Sequence, residues 1–466
     1  MHRPIALISL ACLGGMLCGC GGLGSEPVAE VKINAPAAWK ETSSGSQRLA
    51  ATGWLKTFDD PALEAFVAEA IARNQDLAVA AARLNVARAA AEIGKSARLP
   101  SLTAGLASRE TVVEDGSGSS FSPSYDLALS ASWEPDLWGR LRDLERASFA
   151  DYQAALADFR GARLSLAANT SKAWYNLLTA GEQVALAKET LDSFERNLRV
   201  VERSFRGGVP GVSALDVQLA RTNVSAAQRS LANTTLNRDE AARTLEIFLS
   251  RYPAAEINST RTLPALHGSV PGGLPAAMVE RRPDLAAARA RVLASAGRAT
   301  AAEKSLLPNL RLTGSGGTAN GSLASLLDRN LLTAAVNASL FQILTDGGRT
   351  QAEARAAVET NRARVAEYVQ ACLVAFREVE SALAAERSLR TQEGFLLREV
   401  QQAALAEVQA NRAYSEGVDA DILRVLESQR RANNARASQI RLRNDLLQNR
   451  IDLFLALGGD FATATP

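Results

Sequence analysis

The stretch that decides the fold is Tyr125-Asp126-Leu127-Ala128-Leu129-Ser130-Ala131-Ser132-Trp133, in which apolar side chains alternate with small or polar ones. Successive side chains of an extended strand point to opposite faces, so this period of two predicts a strand with one apolar face. Leu102, Ala104 and Leu106 show a similar alternation earlier in the chain, and a Gly- and Ser-rich loop is expected at residues 115–124 between the two segments. Segments of about ten residues with this pattern are typical of the strands of a transmembrane β-barrel.

A second pair of such segments follows later in the chain. Leu310 and Leu312 alternate with polar residues, and the alternation returns at residues 333–340 after a loop rich in Gly, Ser and Asn. We expect the lipid-facing side chains of these strands to include Tyr125, Leu127, Leu129, Trp133, Val336 and Leu340. Period two also fits four strands of a water-soluble sandwich, so the pattern by itself leaves that alternative open.

The chain contains an internal duplication. Asn74-Gln75-Asp76-Leu77 and Leu99-Pro100-Ser101-Leu102 are matched in the second half by Arg282-Pro283-Asp284-Leu285 and Leu307-Pro308-Asn309-Leu310, at the same spacing. A duplication of such long period predicts two similar structural halves in tandem. Each half is expected to contain a helix, two strands, a long helix, a turn and a second long helix.

The predicted helices are unusually long. They cover residues 60–98, 142–206, 213–250, 351–413 and 421–457. At the usual rise of 1.5 Å per residue, a helix over residues 142–206 would extend about 98 Å. Its apolar residues recur at steps of three and four, which is the spacing of coiled-coil packing.

The first twenty residues form a targeting segment. Arg3 precedes an apolar run from Ile5 to Leu17, which is too short to span a membrane and is typical of a signal peptide. The run ends in Leu17-Cys18-Gly19-Cys20, the form of a lipoprotein cleavage site, with Cys20 as the residue that would carry the lipid. An ordinary secretion signal with incidental cysteines is the alternative.

These patterns predict a division of the chain into six segments. They are a lipoprotein signal peptide at 1–19, a lipidated extended leader at 20–58, a first repeat at 59–251, a proline-rich linker at 252–275, a second repeat at 276–458 and a C-terminal tail at 459–466.

Composition argues against an enzyme. The 466 residues carry a formal net charge of +2 and 2 histidines, His2 and His267, which leaves little material for acid–base or metal chemistry. Cys372 falls on an apolar helical seam, where a catalytic thiol is not expected. There is no phosphate-binding loop of the Gly-x-x-x-x-Gly-Lys type and no basic stripe for nucleic acid. We predict no catalytic residue, no cofactor and no metal site.

The strands and helices both require partners. Four strands cannot close into a barrel, and open sheet edges are not tolerated in lipid, so membrane strands would have to be pooled by several copies. Long helices with narrow apolar seams likewise need neighbours. The sequence therefore predicts an oligomeric tube with a strand barrel at one end, whose stoichiometry does not follow from the spacing.

Several motifs together point to a known family. They are the cleavage site at Cys20, residues 53–63, Asn74-Gln75-Asp76-Leu77, Trp138-Gly139-Arg140, residues 280–285, Asp346-Gly347-Gly348-Arg349, Leu215-Asp216-Val217 and residues 425–430. This set spans the mature chain and resembles the TolC-like outer-membrane factor family, specifically its lipoprotein branch attached to efflux pumps.

The resemblance implies a mainly α-helical fold with a membrane β-barrel. A homotrimer would form one barrel of roughly twelve strands, four per protomer, continued by a long periplasmic α-helical barrel. It implies a passive exit duct of a tripartite efflux system, with a periplasmic adaptor and an inner-membrane transporter of the RND type as partners. The protein would lie in the outer membrane, anchored by lipid such as palmitate.

The resemblance also implies a gate near the tip of the second hairpin. Tyr414, Asp419, Asp421 and Arg424 lie there. Threefold repetition of Asp419 or Asp421 would bring carboxylates together in a constriction. Capping of the returning helix by the same aspartates is the alternative, and the residues themselves do not decide between the two.

Two other classes of protein fit part of the pattern. A periplasmic adaptor lipoprotein also has a helical hairpin, but only one, set in a strand-rich core. A lipid-anchored coiled-coil scaffold without a pore lacks the paired strands. The substrate class stays open, since Met278 and His267 are too few soft ligands to indicate copper or silver.

Overall fold

A computed structural model describes residues 36, 38–40, 53–116, 118–266, 268, 275–328, 332–416 and 422–459. Its regular elements are α1 (Pro61–Arg73), α2 (Gln75–Ser96), β1 (Ser101–Asp115), β2 (Gly118–Trp133), α3 (Arg140–Arg206), α4 (Ala214–Phe248), α5 (Pro275–Arg281), α6 (Pro283–Lys304), β3 (Asn309–Asn320), β4 (Thr333–Phe341), α7 (Arg349–Ser415) and α8 (Ile422–Ala456). Short 3₁₀ helices lie at Trp54–Phe58 and Leu323–Leu327.

The two halves repeat the same order of elements, which confirms the predicted duplication. Helices α2 and α6 have 22 residues each, α3 and α7 have 67, and α4 and α8 have 35. A helix of 67 residues extends about 100 Å. The predicted ends of these long helices agree with the structure to within a few residues.

The prediction of one helix over residues 60–98 is wrong, because the helix is broken at Asn74. Asn74 has an extended backbone (ψ 130°), and its side chain accepts a hydrogen bond from the Leu77 amide, so it caps the start of α2. The same side chain donates to the Phe248 carbonyl at the end of α4. Asn74 thus ends α1 and caps the start of α2. The alanine-rich sequence gave no sign of this break.

Helices α3 and α7 form the continuous framework of the chain. Helices α2 and α4 both pack along α3, and α6 and α8 both pack along α7. Contacts of α3 with α6 and α8 join the two halves side by side. The helices whose apolar seams were predicted from the spacing therefore form one layer. In this layer two shorter helices pack along each long helix.

The four strands form one antiparallel sheet in the order β1-β2-β3-β4. The predicted loop at residues 115–124 is wrong, because β2 begins at Gly118 and pairs with β1 from Gly118 to Ser132. Pro123 is tolerated there because β3 pairs with β2 only from Tyr125 to Trp133, which leaves one side of the earlier part of β2 without a strand.

The linker between the halves also differs from its predicted end. Helix α5 begins at Pro275, so the last residue assigned to the linker is helical instead. Proline favours the first turn of a helix because its missing amide hydrogen has no intrahelical partner there. None of the helices among the described residues is long and apolar enough to cross a membrane.

Candidate channel and gate

The residues predicted to face lipid lie on one face of the sheet. Leu127 pairs with Leu106 on one side and Thr318 on the other, and Trp133 pairs with Leu312. Paired residues of antiparallel strands point to the same face, as do alternate residues of one strand. By this register Tyr125, Leu127, Leu129, Trp133, Val336 and Leu340 share a face. Their exposure to lipid itself stays a prediction.

The two faces of the sheet differ in chemistry. On the first face Val336 is 86% exposed and Leu340 is also exposed, so none of the described residues covers these apolar side chains. The opposite face carries mostly small and polar residues, among them Ser130, Ser132, Thr313, Ser315, Asn337 and Ser339. A sheet of this kind can separate an apolar medium from water.

A short segment covers part of the apolar face at the β3–β4 end of the sheet. Leu326 is buried there, and its carbonyl accepts a 2.6 Å hydrogen bond from the Thr318 hydroxyl. Together with Leu127 and Leu129 it lines a cavity of about 380 Å³. The sequence pattern treated this region as a plain loop and did not indicate that it packs on the sheet.

Two tryptophans join the sheet to the helices. The indole of Trp133 donates to the Arg98 carbonyl (3.0 Å), and that of Trp138 donates to the Pro308 carbonyl (2.6 Å). These carbonyls lie just before β1 and β3, in the short connections that follow α2 and α6 and contain Pro100 and Pro308. The duplicated Leu-Pro motifs thus mark the level at which the sheet meets the helical layer.

The structure describes two of the four predicted gate residues, since Asp419 and Asp421 lie outside the described residues. Tyr414 packs at the tips of the hairpins against Val201, Val217, Ile422 and Val425. Its hydroxyl is buried and has no hydrogen-bond partner within the described part of the chain. Burial, with a smaller effect from the charge of Asp216, raises the pKa of Tyr414, so this side chain is neutral.

Arg424 lies at the exposed start of α8, beside a shallow groove between α7 and α8. Glu427 lies one turn further and accepts hydrogen bonds from Arg430 and Arg431. Those two hydrogen bonds lower the pKa of Glu427. Tyr414 and Arg424 therefore both lie near the hairpin tip. Their role in a constriction stays a prediction.

A buried polar cluster near the tip was missed by the sequence reasoning. Gln429 of α8 is 2% exposed, and its side chain contacts Ser193 and Asn197 of α3 and Asn411 of α7. The signal was present in the spacing, because Gln429 occupies a seam position between the buried residues Val425 and Ala432. A glutamine in such a position needs polar partners.

Cys372 is fully buried in α7, as its position on the helical seam predicted. Burial raises the pKa of its thiol, and the hydrogen bond with Tyr368 does not offset this effect. A thiol of this kind is a poor nucleophile. His267 lies outside the described residues.

This combination of a two-faced sheet with paired helical hairpins is that of an outer-membrane channel. The chain belongs to the outer membrane efflux protein family, which it matches over residues 66–249 and 274–459. It is 31% identical to the pyoverdine export outer membrane protein OpmQ of Pseudomonas putida, over 93% of this chain and 94% of the relative. It is also 31% identical to the toluene efflux pump outer membrane protein TtgF of Pseudomonas putida, over 91% of this chain and 89% of the relative.

Solved structures show the same fold. The outer-membrane channel OprN is 28% identical, with a TM-score of 0.85 over 92% of this chain and 98% of that one. The open state of the MtrE outer membrane channel of Neisseria gonorrhoeae is 26% identical, with a TM-score of 0.81 over 92% and 97%. The predicted family, fold class and function are confirmed: the chain is an outer-membrane efflux channel and not an enzyme.

Proposed function

We propose that three copies of the chain form a closed exit duct, which passes substrates from a periplasmic adaptor and an inner-membrane transporter to the exterior. The observation that supports this most directly is the four-stranded sheet with one apolar face and two unpaired edges. Edge strands β1 and β4 each have a single neighbour in the sheet. Pairing of β1 of one copy with β4 of the next would satisfy both edges and close the sheet.

The helical layer supports the same arrangement. Val79, Val86 and Ile93 are exposed at intervals of one heptad on α2, whose other side packs along α3. An apolar stripe with this spacing is suited to packing against another helix. In a closed ring of copies, this apolar stripe of α2 would pack against α7 of the neighbouring copy.

Single-channel recording in planar bilayers tests the duct. We expect the purified mature protein to produce discrete, ohmic conductance steps, because the helical tube offers a wide aqueous path. An adaptor or a coiled-coil scaffold without a pore would produce no steps in the same bilayers. Absence of steps from a correctly assembled oligomer would exclude the proposed duct.

We propose that residues 414–424 form the narrowest point, with Asp419 and Asp421 as its acidic groups and Tyr414 and Arg424 beside them. The position of Tyr414 and Arg424 next to the hairpin tip supports this assignment. Replacing both aspartates by alanine should raise the conductance, since repeated carboxylates narrow the path and hold cations.

The matched control for the gate is Asp445→Ala, an exposed aspartate on α8 far from the hairpin tip. This variant should conduct as the wild type does. An unchanged conductance in the Asp419→Ala, Asp421→Ala double variant would remove both residues from the gate.

We propose that the mature chain begins at the lipidated Cys20 and that the helices extend into the periplasm. Cys20 lies outside the described residues, but the leader contacts α7 at Trp39 and Lys40. Trp39 is buried against Phe376, and the Lys40 amide donates to Glu380. Metabolic labelling with palmitate should be lost in Cys20→Ser and retained in Cys372→Ser. Labelling of both variants would refute the anchor.

We propose small organic compounds as substrates and a transporter of the RND type as the source of energy. The support is the names of relatives, which describe pyoverdine export and toluene efflux in Pseudomonas. Deletion of the gene should sensitise the host to solvents or antibiotics, and affinity purification after cross-linking should recover the transporter. Recovery of a transporter for secreted proteins would contradict this proposal.

A further inference from the structure

We propose that the contact between neighbouring copies repeats the contact that α6 makes with α3 within one chain, and that it places Arg83 against Glu367 of the partner subunit. The inference rests on the proposed ring of copies and adds the residues that recognise one another in it. The exposed face of α2 is thus the binding site for α7 of a second copy of this chain, in one particular register.

The contact between α6 and α3 joins the two halves of one chain. Three ion pairs cross it at successive levels: Arg291–Asp158, Arg298–Asp151 and Lys304–Asp143. Between these pairs α6 carries a stripe of small buried residues, Ala287, Ala294 and Ala301. Gly297 lies so close to α3 that a Cβ atom on it would be 3.2 Å from the Ala147 Cβ. The charges and the close approach together fix the register of the two helices.

Helix α2 is the counterpart of α6 in the first half of the chain. The Asp-Leu pairs at Asp76 and Asp284 and the Leu-Pro pairs at Leu99 and Leu307 align the two helices without a gap. This alignment sets an apolar stripe of α2 at the positions of the buried stripe of α6: Val79, Val86 and Ile93 at those of Ala287, Ala294 and Ala301. The side chains of the α2 stripe are 49%, 70% and 69% exposed. Helix α2 therefore presents to the outside the face by which α6 packs on α3.

Helix α7 is the counterpart of α3, and its matching face is open as well. Gly139-Arg140 and Gly348-Arg349 align the two helices. Ala147 and Ala154, which are buried on α3, correspond to Ala356 and Ala363, which are exposed on α7. Another side of α7 is already occupied, since Asn361 there contacts Ser295 of α6. One copy thus offers both halves of a contact that it makes only once internally.

The charges differ between the two versions of this contact. The pair Arg291–Asp158 has a counterpart with the same charges in Arg83 and Glu367, whereas the other two pairs correspond to the uncharged pairs Ala90–Thr360 and Ser96–Ala352. Arg83 is exposed and takes part in none of the ion pairs within the described residues. Glu367 is exposed and pairs with Arg364 of its own helix. The contact between copies is therefore more apolar, with one complementary pair to set its register.

The sheet supports the same relation between copies. Within the chain β2 pairs with β3, and Ala131 lies opposite Gly314. The hairpin registers align β1 with β3 and β2 with β4, so the corresponding pair between copies is Leu340 with Leu106 of the partner subunit. Both leucines are exposed in the single copy, at 67% and 65%. One rotation of the chain would then close the strands and the helices together.

Disulfide cross-linking tests the register. Ala89 and Ala356 correspond to Gly297 and Ala147, so their Cβ atoms should lie within the distance of a disulfide between copies. We expect the double variant Ala89→Cys, Ala356→Cys, oxidised with copper phenanthroline after assembly, to give covalent dimers and trimers on denaturing gels without reductant.

The matched control for the cross-link is Ala82→Cys, Ala356→Cys, which moves one thiol by two helical turns, about 10 Å. It should give only protomers, as should each single cysteine variant. Absence of the Ala89→Cys, Ala356→Cys cross-link, or equal cross-linking in the control, would overturn the proposed register.

Charge reversal tests the ion pair. Arg83→Glu places two carboxylates against each other and should lower the temperature at which the oligomer dissociates on gels. The double variant Arg83→Glu, Glu367→Arg restores opposite charges and should recover most of this loss. Arg88→Glu is the control, because Arg88 pairs with Glu92 on another side of α2. Equal losses for Arg83→Glu and Arg88→Glu, or a double variant no more stable than Arg83→Glu, would refute the pair.

Failure of this inference can be separated from failure of the proposed ring. If light scattering gives three copies and bilayers show conductance steps while the cross-link and the charge rescue both fail, the ring is retained and the register is refuted. If light scattering gives the mass of one copy, the ring is refuted together with the register. A ladder of cross-linked products beyond three copies would support the contact and refute a closed ring of three.

Discussion

Arg282 shows how a single residue of a duplicated motif joins three helices. Its side chain is 9% exposed, and Nη2 lies 2.8 Å from Asp284 and 2.7 Å from Glu378. Nη1 donates to the Ala456 carbonyl at the end of α8. The start of α6, the middle of α7 and the end of α8 are thereby held together, because a buried guanidinium must satisfy its donors.

The same contact predicts a pH dependence. Burial raises the pKa of Asp284, but the hydrogen bond and charge of Arg282 outweigh it, so the pKa lies below its usual value of 3.8. Ionised Asp284 therefore stabilises the fold above that usual value, and the stabilisation is lost as pH falls through the lower folded pKa.

We expect Asp284→Asn to lower the free energy of unfolding at pH 7 by about 1 kcal/mol or less, since solvent screens this partly exposed carboxylate. The difference from wild type should vanish in acid. Urea unfolding at neutral and acidic pH measures it, with Asp192→Asn on the exposed surface of α3 as the control. A difference that persists in acid would show that the charge is not responsible.

Among the elements, the linker is tied to the helices at successive points. The buried Glu246 carboxylate of α4 accepts hydrogen bonds from the amides of Ala255, Glu256 and Ile257 at 2.7 to 3.1 Å. Further along, Glu182 of α3 accepts from the Leu263 amide, and Arg443 of α8 donates to the Leu263 carbonyl. The linker thus bridges the two hairpins through its backbone.

Removal of this carboxylate should loosen the linker. Glu246→Ala leaves three part-buried amides without this acceptor and should cost about 1 to 3 kcal/mol of local stability. Limited proteolysis should then cut within residues 252–268 faster than in wild type. The control Glu240→Ala removes an exposed carboxylate of the same helix and should leave the cleavage rate unchanged. Equal rates in both variants would contradict the role of Glu246.

The sheet allows a sharp comparison between its two faces. Val336→Arg places a charge on the apolar face and should cost about 2 to 4 kcal/mol if that face lies at the middle of a bilayer. Asn337→Arg places the same charge on the opposite face and should be tolerated. Fractionation of the outer membrane measures the amount of inserted protein, and equal insertion of both variants would refute the assignment of the faces.

As a whole molecule, one copy is incomplete. Within the described residues it presents two unpaired strand edges, an apolar sheet face that is exposed at Val336 and Leu340, and the apolar stripe at Val79, Val86 and Ile93. Each feature is costly in water and requires either lipid or another copy of the chain. We therefore expect assembly to be part of folding for this protein.

The stripe on α2 provides the test of assembly. Val86→Asp should lower the temperature at which the oligomer dissociates on gels, because it buries a charge between copies. The neighbouring variant Asn85→Asp adds the same charge on another side of α2 and should change this temperature less. Light scattering in detergent should give three times the mass of the protomer for wild type. Equal dissociation temperatures would exclude this stripe from the interface.

Several features were predictable because they depend on local periodicity. The alternation at Tyr125–Trp133 and the three-four spacing of the long helices each repeat many times, so single exceptions do not obscure them. The duplication reinforced both signals by presenting them twice. The break at Asn74 and the packed segment at Leu326 were missed, because one residue decides the former and a distant strand decides the latter.

By itself, the sequence determined the presence of four strands, the lengths of the four longest helices, the tandem repeat and the family, since all of these follow from residue patterns along the chain. Only the tertiary structure decided which strands pair in which register, how the linker is held and that Ser193, Asn197 and Asn411 surround Gln429. These features join residues from separate helices or strands. Their energies depend on which groups become buried together, and that is a property of the packed chain rather than of any one segment.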